Sequence, residues 1–533
     1  MNRKTLVLSA VVGLFAPIIT ACGVSDSGSK NAAITVGTTD RFTATKDAPA
    51  PLDPAYTYDT NSWNLLRQTV QTLLIEPKGE GAPAPEAAEH CGFTDQGHER
   101  YACTLRKGLQ FADGDRITAA TVKSSIERSL HINADTGVAA LLNTIDTIET
   151  RGDRDVIFHL KTADATFPYK LMTPVAGIVN PKDYEADKLR NGFLVDGSGP
   201  YTFNAESKKD TITTVTFTKN PHYRGSLTVK NEKVVMRVYG DAQAMGNAIG
   251  DGDIDVMTRT MSPAQINKLG QGADESVDLV EVPGLEIRYL GFNTDAPTIK
   301  DKAVRQAIAQ LVDRGALVSK VYSTQAEPLY SLVPATLTGH SNSFFNKYGD
   351  PSTAGAKELL TKARITTPVK LTLNYTTDHY GSATKEEFEV LRNQLNASGL
   401  FSVTIQGTPW AIFSSAERKG KYSVYGMGWF PDFPDADNFV APFLDKDNFL
   451  NSPYSNKTIQ QSLIPETRRE TDRINAVKAL TRIQDTVAED VPVLPLWQGK
   501  QYVAARDDIT GVSYAINSAS VLQLWELGRG LSR

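Results

Sequence analysis

A run of alternating strands and helices constrains the fold of this chain more than any other feature of its sequence. Residues 368–375 alternate apolar and polar side chains, as a half-buried strand does. Two helices and two further strands are predicted after it, which gives the order β-α-β-α-β. This order is typical of a doubly wound α/β sheet. The predicted elements are strand 368–375, helix 384–398, strand 403–405, helix 409–418 and strand 422–426.

The last of these strands leads into YGMGWFPDFPDADNF, residues 425–439. The two prolines of this stretch cannot donate a ladder hydrogen bond, so the chain must leave the sheet here. Ligands of open α/β sheets bind beyond the carboxyl ends of the strands, which places Trp429 and Asp432 where a ligand would be met. The alternative is a surface turn, and Asp435 and Asp437 are expected to serve as turn formers and helix caps.

Three local patterns predict helix ends. Residues 63–74 fit a helix that begins near Trp63. Thr118 is placed to cap a second helix, whose apolar side chains repeat every four residues. Thr384 and Glu387 have the spacing of a capping box at the start of helix 384–398.

Residues 1–21 are expected to be a signal peptide and not part of the fold. Two basic residues precede an apolar run, residues 6–19, which is too short to cross a bilayer. The tetrad ITAC that follows looks like a bacterial lipoprotein signal, in which Cys22 receives the lipid. The alternative is a plain secretory signal that happens to contain a cysteine. Residues 22–32 are small and polar, as in a flexible tether.

Composition excludes several classes of protein. The chain has 533 residues, 41% of them hydrophobic, and can bury more than one core. Its net charge of −5, without basic blocks, argues against a nucleic-acid partner. The seven histidines are scattered, so we expect no metal site. The sequence has no glycine-rich motif for binding phosphate or a dinucleotide, so we expect no cofactor.

Cys91 and Cys103 flank a polar loop and are predicted to lie on a hairpin. Outside the cytoplasm such a pair is expected to be oxidised to a disulfide. Two separate buried thiols are the alternative.

Several motifs resemble one family when they are taken together. The longest, YACTLRKGLQFADGDRITAATVKSSIERSL at residues 101–130, resembles the signature of the family 5 extracellular solute-binding proteins. These are peptide-binding and nickel-binding subunits of ABC transporters, and the chain looks like their oligopeptide- or dipeptide-binding lipoproteins. The other motifs, in the family's order, are LDPAY (52–56), GSGPYTF (197–203), NPHYRG (220–225), GDGDIDV (250–256), FNTDAPTIKDKAVRQAIAQLVDR (292–314) and VPVLPLWQ (491–498).

The resemblance implies a two-lobed α/β fold like that of type II periplasmic binding proteins. Mixed sheets flanked by helices form each lobe, a hinge joins the lobes, and an extra subdomain lies on lobe I. The expected boundaries are 33–284 for lobe I, with the subdomain at about 70–190, 285–491 for lobe II, and 492–533 for the return to lobe I.

The function implied by the resemblance is capture of short peptides in an inter-lobe cleft and delivery to an ABC permease. The protein would be a monomer on the extracytoplasmic face of a bacterial membrane, held there only by its lipid. An oligosaccharide or another small solute is the alternative ligand. A nickel or haem ligand would call for a metal-directed set of side chains, which the sequence does not show.

The resemblance also assigns roles to individual residues. Asp432 would take the ligand's N-terminal ammonium, since an aspartate three residues after a tryptophan does so in peptide-binding members. Trp429 and Trp410 would line the space for ligand side chains, and Tyr58 and Phe430 are included in the ligand-binding set. Phe430 and the proline after it depart from the family pattern, which leaves the register of the peptide open.

Two other classes of function remain as alternatives. The carboxylates near Asp432 could act as an acid and base pair on a sugar, but no catalytic motif accompanies them. A structural or adhesive lipoprotein would be favoured by internal repeats, and the sequence shows none. Binding without catalysis is therefore the expected activity.

Replacing Cys22 by alanine tests the lipoprotein signal. Without the thiol the protein should leave the membrane fraction or stay unprocessed, because no lipid can be attached. Membrane fractionation and mass measurement of the N-terminus check this. A variant that is fully processed and still membrane-bound would contradict the prediction.

Overall fold

The computed structural model of the chain describes residues 33–79, 81–258, 261–446 and 448–530. The predicted signal peptide, the tether and Cys22 therefore lie outside the described residues. Within these ranges, none of the helices combines the length and the apolar character needed to cross a bilayer.

The first large sheet has seven strands among the described residues. Ile34–Thr38 runs parallel to both of its neighbours, and the other pairs are antiparallel, so the sheet is mixed. The C-terminal part of the chain returns to this sheet. The strand order is Val277–Val282, Gln501–Arg506, Val256–Thr258, Ile34–Thr38, Lys233–Val238, Thr211–Lys219, Tyr201–Lys208.

The second large sheet, with six strands in the described part of the chain, contains the predicted β-α-β-α-β succession. Val369–Thr376 pairs in parallel with the strands on both sides of it, and helices Thr384–Ala397 and Trp410–Arg418 form the crossovers. The doubly wound prediction is confirmed. The strand order is Ala326–Pro328, Val493–Gly499, Ile287–Phe292, Val424–Trp429, Val369–Thr376, Phe401–Thr408.

The chain crosses between the two sheets at adjacent points. One crossing follows Val277–Val282, and the other lies at Lys500, between a strand of the second sheet and a strand of the first. A Cβ atom on Gly284 would overlap the carbonyl oxygen of Gly499, so glycine is needed where the crossings touch. The second crossing comes later than the predicted return at residue 492, because Val493–Gly499 pairs within the second sheet.

A smaller sheet of four strands lies within the region predicted to form the extra subdomain. Cys91 and Cys103 are directly opposite each other on two of its strands and are joined by a disulfide, which confirms that prediction. The strand order is Ala88–Phe93, Arg100–Leu105, Asp155–Leu160, Ile145–Arg151.

Two of the three predicted helix ends differ from the structure. Thr118 caps helix Ala119–Ile132 as expected. Glu387, however, makes no capping box with Thr384: its buried carboxylate accepts hydrogen bonds from the Tyr322 hydroxyl (2.7 Å) and the Trp497 indole (3.1 Å). Glu387 therefore forms tertiary hydrogen bonds instead of the capping interaction that the local sequence pattern predicted.

The helix predicted at residues 63–74 spans Thr60–Thr69. Asp59 caps its start by accepting a hydrogen bond from the Ser62 amide. It ends early because the following backbone pairs elsewhere: the Gln71 carbonyl accepts from Ile178 N at 2.8 Å.

The remaining elements connect and cover these sheets. The other α-helices are Phe167–Lys170, Ala242–Gly250, Pro263–Gly270, Lys302–Leu311, Arg314–Val321, Ser343–Tyr348, Thr353–Lys362, Ala441–Leu444, Ile464–Thr467 and Val477–Asp490. Two short ribbons pair Leu74–Ile75 with Ala84–Pro85 and Ile509–Thr510 with Gly528–Arg529.

Replacing Cys91 and Cys103 together by alanine tests the contribution of the disulfide. The two cysteines are 12 positions apart in the sequence, so the chain-entropy model gives a loss of about 3 kcal/mol in the free energy of unfolding of this region. Urea titration of the variant and the oxidised protein measures the difference, with a thiol count as the control. Equal stability would contradict the prediction.

Candidate ligand-binding cleft

A cavity of about 1040 Å³ is lined by elements of both large sheets. On one side lie residues 56–63 and Arg67, at the start and along one face of helix Thr60–Thr69. On the other side lie residues 378–383, which follow strand Val369–Thr376, and residues 427–432, at and just beyond the end of strand Val424–Trp429. The volume is at the upper end of the range for small-molecule sites.

Strand Val424–Trp429 ends at the wall of this cleft. All six residues are buried, and the strand ends at Trp429, before the two prolines that were predicted to end it. Asp435 caps the short 3-10 helix Ala436–Phe439 by accepting from the Asp437 amide at 2.8 Å, as its predicted turn role requires.

Asp432 is 8% exposed and is held by neutral donors. Its Oδ2 atom accepts from the Tyr58 hydroxyl at 3.0 Å and from the Asn438 amide at 2.9 Å. The Asn438 side-chain oxygen accepts in turn from the Asp432 backbone N–H (2.8 Å) and the Trp429 indole (3.3 Å). Asn438 therefore fixes the positions of both predicted site residues.

Burial dominates the electrostatics of this carboxyl. It raises the pKa of Asp432 to about 6, while the hydrogen bonds from Asn438 and Tyr58 and the charge of Arg67 act in the opposite direction. Burial, followed by the Asp432 charge, raises the pKa of Tyr58 well above 10. Tyr58 thus remains protonated and donates to a carboxylate that is ionised at neutral pH.

The predicted aromatic residues lie in different surroundings. Trp410 is half-buried and stacks on His379, with ring centroids 3.9 Å apart. Trp429 is 7% exposed and packs edge-on against Phe443 and Phe449, so it belongs to the core of the second sheet as well as to the cleft wall.

The structure brings together all five residues predicted to bind ligand: Tyr58, Trp410, Trp429, Phe430 and Asp432 line the same cleft. Their contact with a ligand stays a prediction.

Several lining residues were missed by the sequence reasoning. Arg288 lies within an apolar strand, and Glu417 lies on helix Trp410–Arg418 with a pKa raised to about 7 by burial. Burial and the Arg288 charge lower the pKa of His379 to about 4, so this ring is neutral at pH 7. A basic residue inside the apolar run IRYLGF was the signal that could have identified Arg288.

No group of three or more histidine, cysteine, aspartate or glutamate side chains could hold a metal ion among the described residues. The lining of the cleft includes carboxylates, guanidinium groups and aromatic rings. Such a set can bind a charged organic molecule by ion pairs and apolar contact.

Comparison with known families gives one match over most of the chain. A family model described as bacterial extracellular solute-binding proteins, family 5 Middle, matches residues 82–451.

Two curated proteins are similar over nearly their whole length. The chain is 26% identical over 481 residues to the probable D,D-dipeptide-binding periplasmic protein DdpA of Escherichia coli K12, covering 87% of this chain and 89% of DdpA. It is 23% identical over 526 residues to the oligopeptide-binding protein OppA of Bacillus subtilis 168, covering 93% and 94%.

Among solved structures, the dipeptide-binding protein of Pseudoalteromonas sp. SM9913 in complex with Met-Leu has a TM-score of 0.79 at 20% identity. The match covers 93% of this chain and 100% of that chain. The two-lobed α/β fold predicted from the sequence is thereby confirmed.

Asp432→Asn tests the electrostatics of the cleft through stability. The folded state raises the pKa of this carboxyl from 3.8 to about 6, so the folded wild type loses stability as the pH rises from about 4 to 6. Asparagine has no charge at any of these pH values, so the variant does not lose this stability as the pH rises. We expect the variant to be more stable than wild type at pH 7.5 by about 1–3 kcal/mol, with the difference shrinking toward pH 4.

Thermal unfolding at both pH values measures this difference. Asp437→Asn is the control, because its carboxylate pairs with Arg468 and its loss should destabilise the protein at pH 7.5. If Asp432→Asn were destabilised equally at both pH values, burial of charge would not govern this site.

Proposed function

We propose, from the premise that this chain belongs to the bacterial extracellular solute-binding proteins of family 5, that it captures short peptides for an ABC importer. Solute binding, and not catalysis, is the activity of this family. The names of the relatives support a peptide ligand: DdpA is called a D,D-dipeptide-binding protein and OppA an oligopeptide-binding protein.

The observation that carries the proposal is the state of Asp432. No lysine or arginine of the described residues forms an ion pair with this carboxylate, although it is 8% exposed and its nearest donors are neutral. A peptide brings an ammonium group that would supply the missing charge. At 4 Å, unit charges attract by about 4 kcal/mol at an effective dielectric near 20, before desolvation is subtracted.

The other side chains of the cleft favour a peptide over an oligosaccharide. Aromatic residues such as Trp410 and Phe430 suit either ligand. The cleft also contains both carboxylates and guanidinium groups, among them Asp432, Arg67 and Arg288. Opposite charges in one cleft match a zwitterion, whereas a neutral sugar would leave them without ligand partners.

The remaining parts of the proposal concern the setting of the protein in the cell. We propose that a lipid on Cys22 holds it at the extracytoplasmic face of the membrane, and that it delivers peptide to the permease as a monomer. The ITAC tetrad supports the anchor.

Titration calorimetry with alanine peptides of two to five residues tests the ligand class. The best binder should lose affinity when its N-terminus is acetylated, because the ammonium that pairs with Asp432 is removed. Asp432→Asn should weaken binding of the free peptide by about 2 kcal/mol or more, which is roughly thirtyfold. In the variant, acetylation should have little further effect.

Glu417→Gln is the matched control, because it also removes a buried carboxyl from the cleft wall. It should leave the effect of acetylation unchanged. If acetylation and Asp432→Asn both left affinity intact, or if maltotriose bound and no peptide of the set did, the peptide assignment would be wrong.

A further inference from the structure

One face of helix Trp410–Arg418 lines the cleft. Trp410, Ser414 and Glu417 follow one another at intervals of four and three residues, which places them on the same side of the helix, and all three line the cavity. Trp410 and Glu417 are two helical turns apart, or about 10 Å along the axis. The cleft therefore extends along this helix, from the half-buried Trp410 to the buried Glu417.

The strand next to this helix forms the facing wall. Met427 and Trp429 are on the same face of strand Val424–Trp429, and both line the cavity. The ring of Phe449, which also lines the cavity, lies 5.9 Å from the ring of Trp429. The space between these apolar side chains and the helix is called the Glu417 pocket. Its lining is Trp410, Ser414, Glu417, Met427, Trp429 and Phe449.

The carboxyl of Glu417 has a neutral partner. Glu417 is 7% exposed, and the Tyr425 hydroxyl donates a hydrogen bond to it. Gly291 lies opposite Tyr425 in the sheet, and a Cβ atom at position 291 would overlap the Tyr425 ring, so glycine provides the space for this tyrosine.

Glu417 has no ion-pair partner among the described residues. Arg418 is next to it in the chain, but adjacent residues of a helix point in different directions. The guanidinium carbon of Arg418 lies 5.7 Å from the ring centre of Phe449. A desolvated carboxylate in the cleft is therefore left without a positive charge.

The other acidic groups of the cleft are engaged or lie elsewhere. In the described part of the chain, the acidic residues that line the cavity are Asp40, Asp59, Glu286, Asp378, Glu417 and Asp432. Asp59 caps a helix, Asp378 accepts from a backbone N–H at 2.7 Å, and Glu286 pairs with an arginine. Asp40 follows a strand of the first sheet, and Asp432 is assigned to the ligand's ammonium. One carboxyl of the second-sheet wall thus remains for a further charge of the ligand.

We propose that Glu417 binds the basic side chain of a lysine or arginine residue in the ligand, which makes it a specificity-determining residue of the cleft. This inference rests on the proposed function, because it assumes that the ligand is a peptide. The apolar walls of the Glu417 pocket contact the carbon stem of such a side chain, while its charged end pairs with the carboxylate. Asp432 and Glu417 then bind two different cations of one ligand.

The charge of Glu417 changes near neutral pH. Burial raises its pKa to about 7, while the Tyr425 hydroxyl and the charge of Arg418 act in the opposite direction. The other groups that face it keep their protonation between pH 6 and 8. Arg418 is a guanidinium and stays charged. The pKa values of Tyr289 and Tyr425 are raised well above 10, and that of Tyr380 to about 12.

Calorimetry with lysine and norleucine peptides tests the inference, because norleucine has the same carbon stem without the ammonium. Each residue is placed in turn at the three positions of trialanine. At pH 8 Glu417 is ionised, and at one position the lysine form should bind about tenfold or more tightly than the norleucine form. Arginine at that position should share the preference.

In Glu417→Gln the preference should fall to less than about twofold, through weaker binding of the lysine form. Glutamine keeps the shape of the side chain and can still accept from Tyr425. Asp378→Asn is the control: it also removes a carboxylate from the cleft wall, keeps an acceptor for the Trp410 N–H, and should retain the full preference. Alanine side chains are too short to reach Glu417, so its replacement leaves the acetylation effect on alanine peptides intact.

Proton release gives a second measurement on the wild type, which decides the matter even if Glu417→Gln does not fold. A cation in the pocket ionises the protonated fraction of Glu417. At pH 7 the lysine form should therefore release about half a proton more than the norleucine form, as calorimetry in two buffers of different ionisation enthalpy measures. The lysine preference should rise by up to about tenfold from pH 6 to pH 8.

The outcomes separate this inference from the proposed function. If the peptides bind and N-acetylation weakens them, yet lysine and norleucine forms bind equally at every position, Glu417 has no such role and the peptide function stands. A lysine preference that survives Glu417→Gln, or equal proton release by the two forms, also overturns the inference. If none of the peptides binds, the proposed function fails and this inference fails with it.

Discussion

The cleft depends on a carboxylate that is buried among neutral hydrogen-bond donors. Asp432 is removed from water, and Asn438 and Tyr58 compensate only part of the lost hydration, as its pKa of about 6 reflects. A basic side chain in contact would have stabilised the folded protein more. The charge instead has no ion-pair partner among the described residues, which lowers the stability of the folded protein, and the proposed ligand ammonium would neutralise it.

The loop that carries Asp432 is fixed to both parts of the molecule. Arg473 pairs with Asp435 at 2.7 Å, and Arg468 pairs with Asp437 at 3.1 Å. Phe433 is 2% exposed and packs in the core of the first sheet, although the strand before it belongs to the second. These contacts anchor the loop and fix the position of the carboxylate. A movement of one sheet relative to the other would have to repack Phe433.

The parts of the site that depend on local sequence could be predicted, and the parts that depend on strand pairing could not. Prolines end strand Val424–Trp429 through backbone chemistry alone, so the position of Asp432 beyond it could be inferred from the sequence. Arg288 lines the cleft in space that Gly428 leaves opposite it in the sheet, and spacing along the chain does not encode that register.

The same distinction explains the predictions that were wrong. Glu387 has the spacing of a capping box, but its place next to Tyr322 and Trp497 gives it stronger partners. The resemblance placed the return of the chain to lobe I at residue 492, whereas Val493–Gly499 still pairs within the second sheet. Proline is tolerated in Val493–Gly499, where Pro495 pairs with Tyr289 across a β-bulge.

The geometry of Asp432 also determines how a cation can approach it. Both side-chain hydrogen bonds fall on Oδ2, and no donor among the described residues reaches Oδ1. A carboxylate has about four acceptor positions, so a ligand ammonium can bind at Oδ1 without displacing Tyr58 or Asn438. Tyr58 is neutral and belongs to the opposite wall of the cleft. Binding of the proposed ammonium would therefore add a charge to the site while keeping the hydrogen bond that links the two walls.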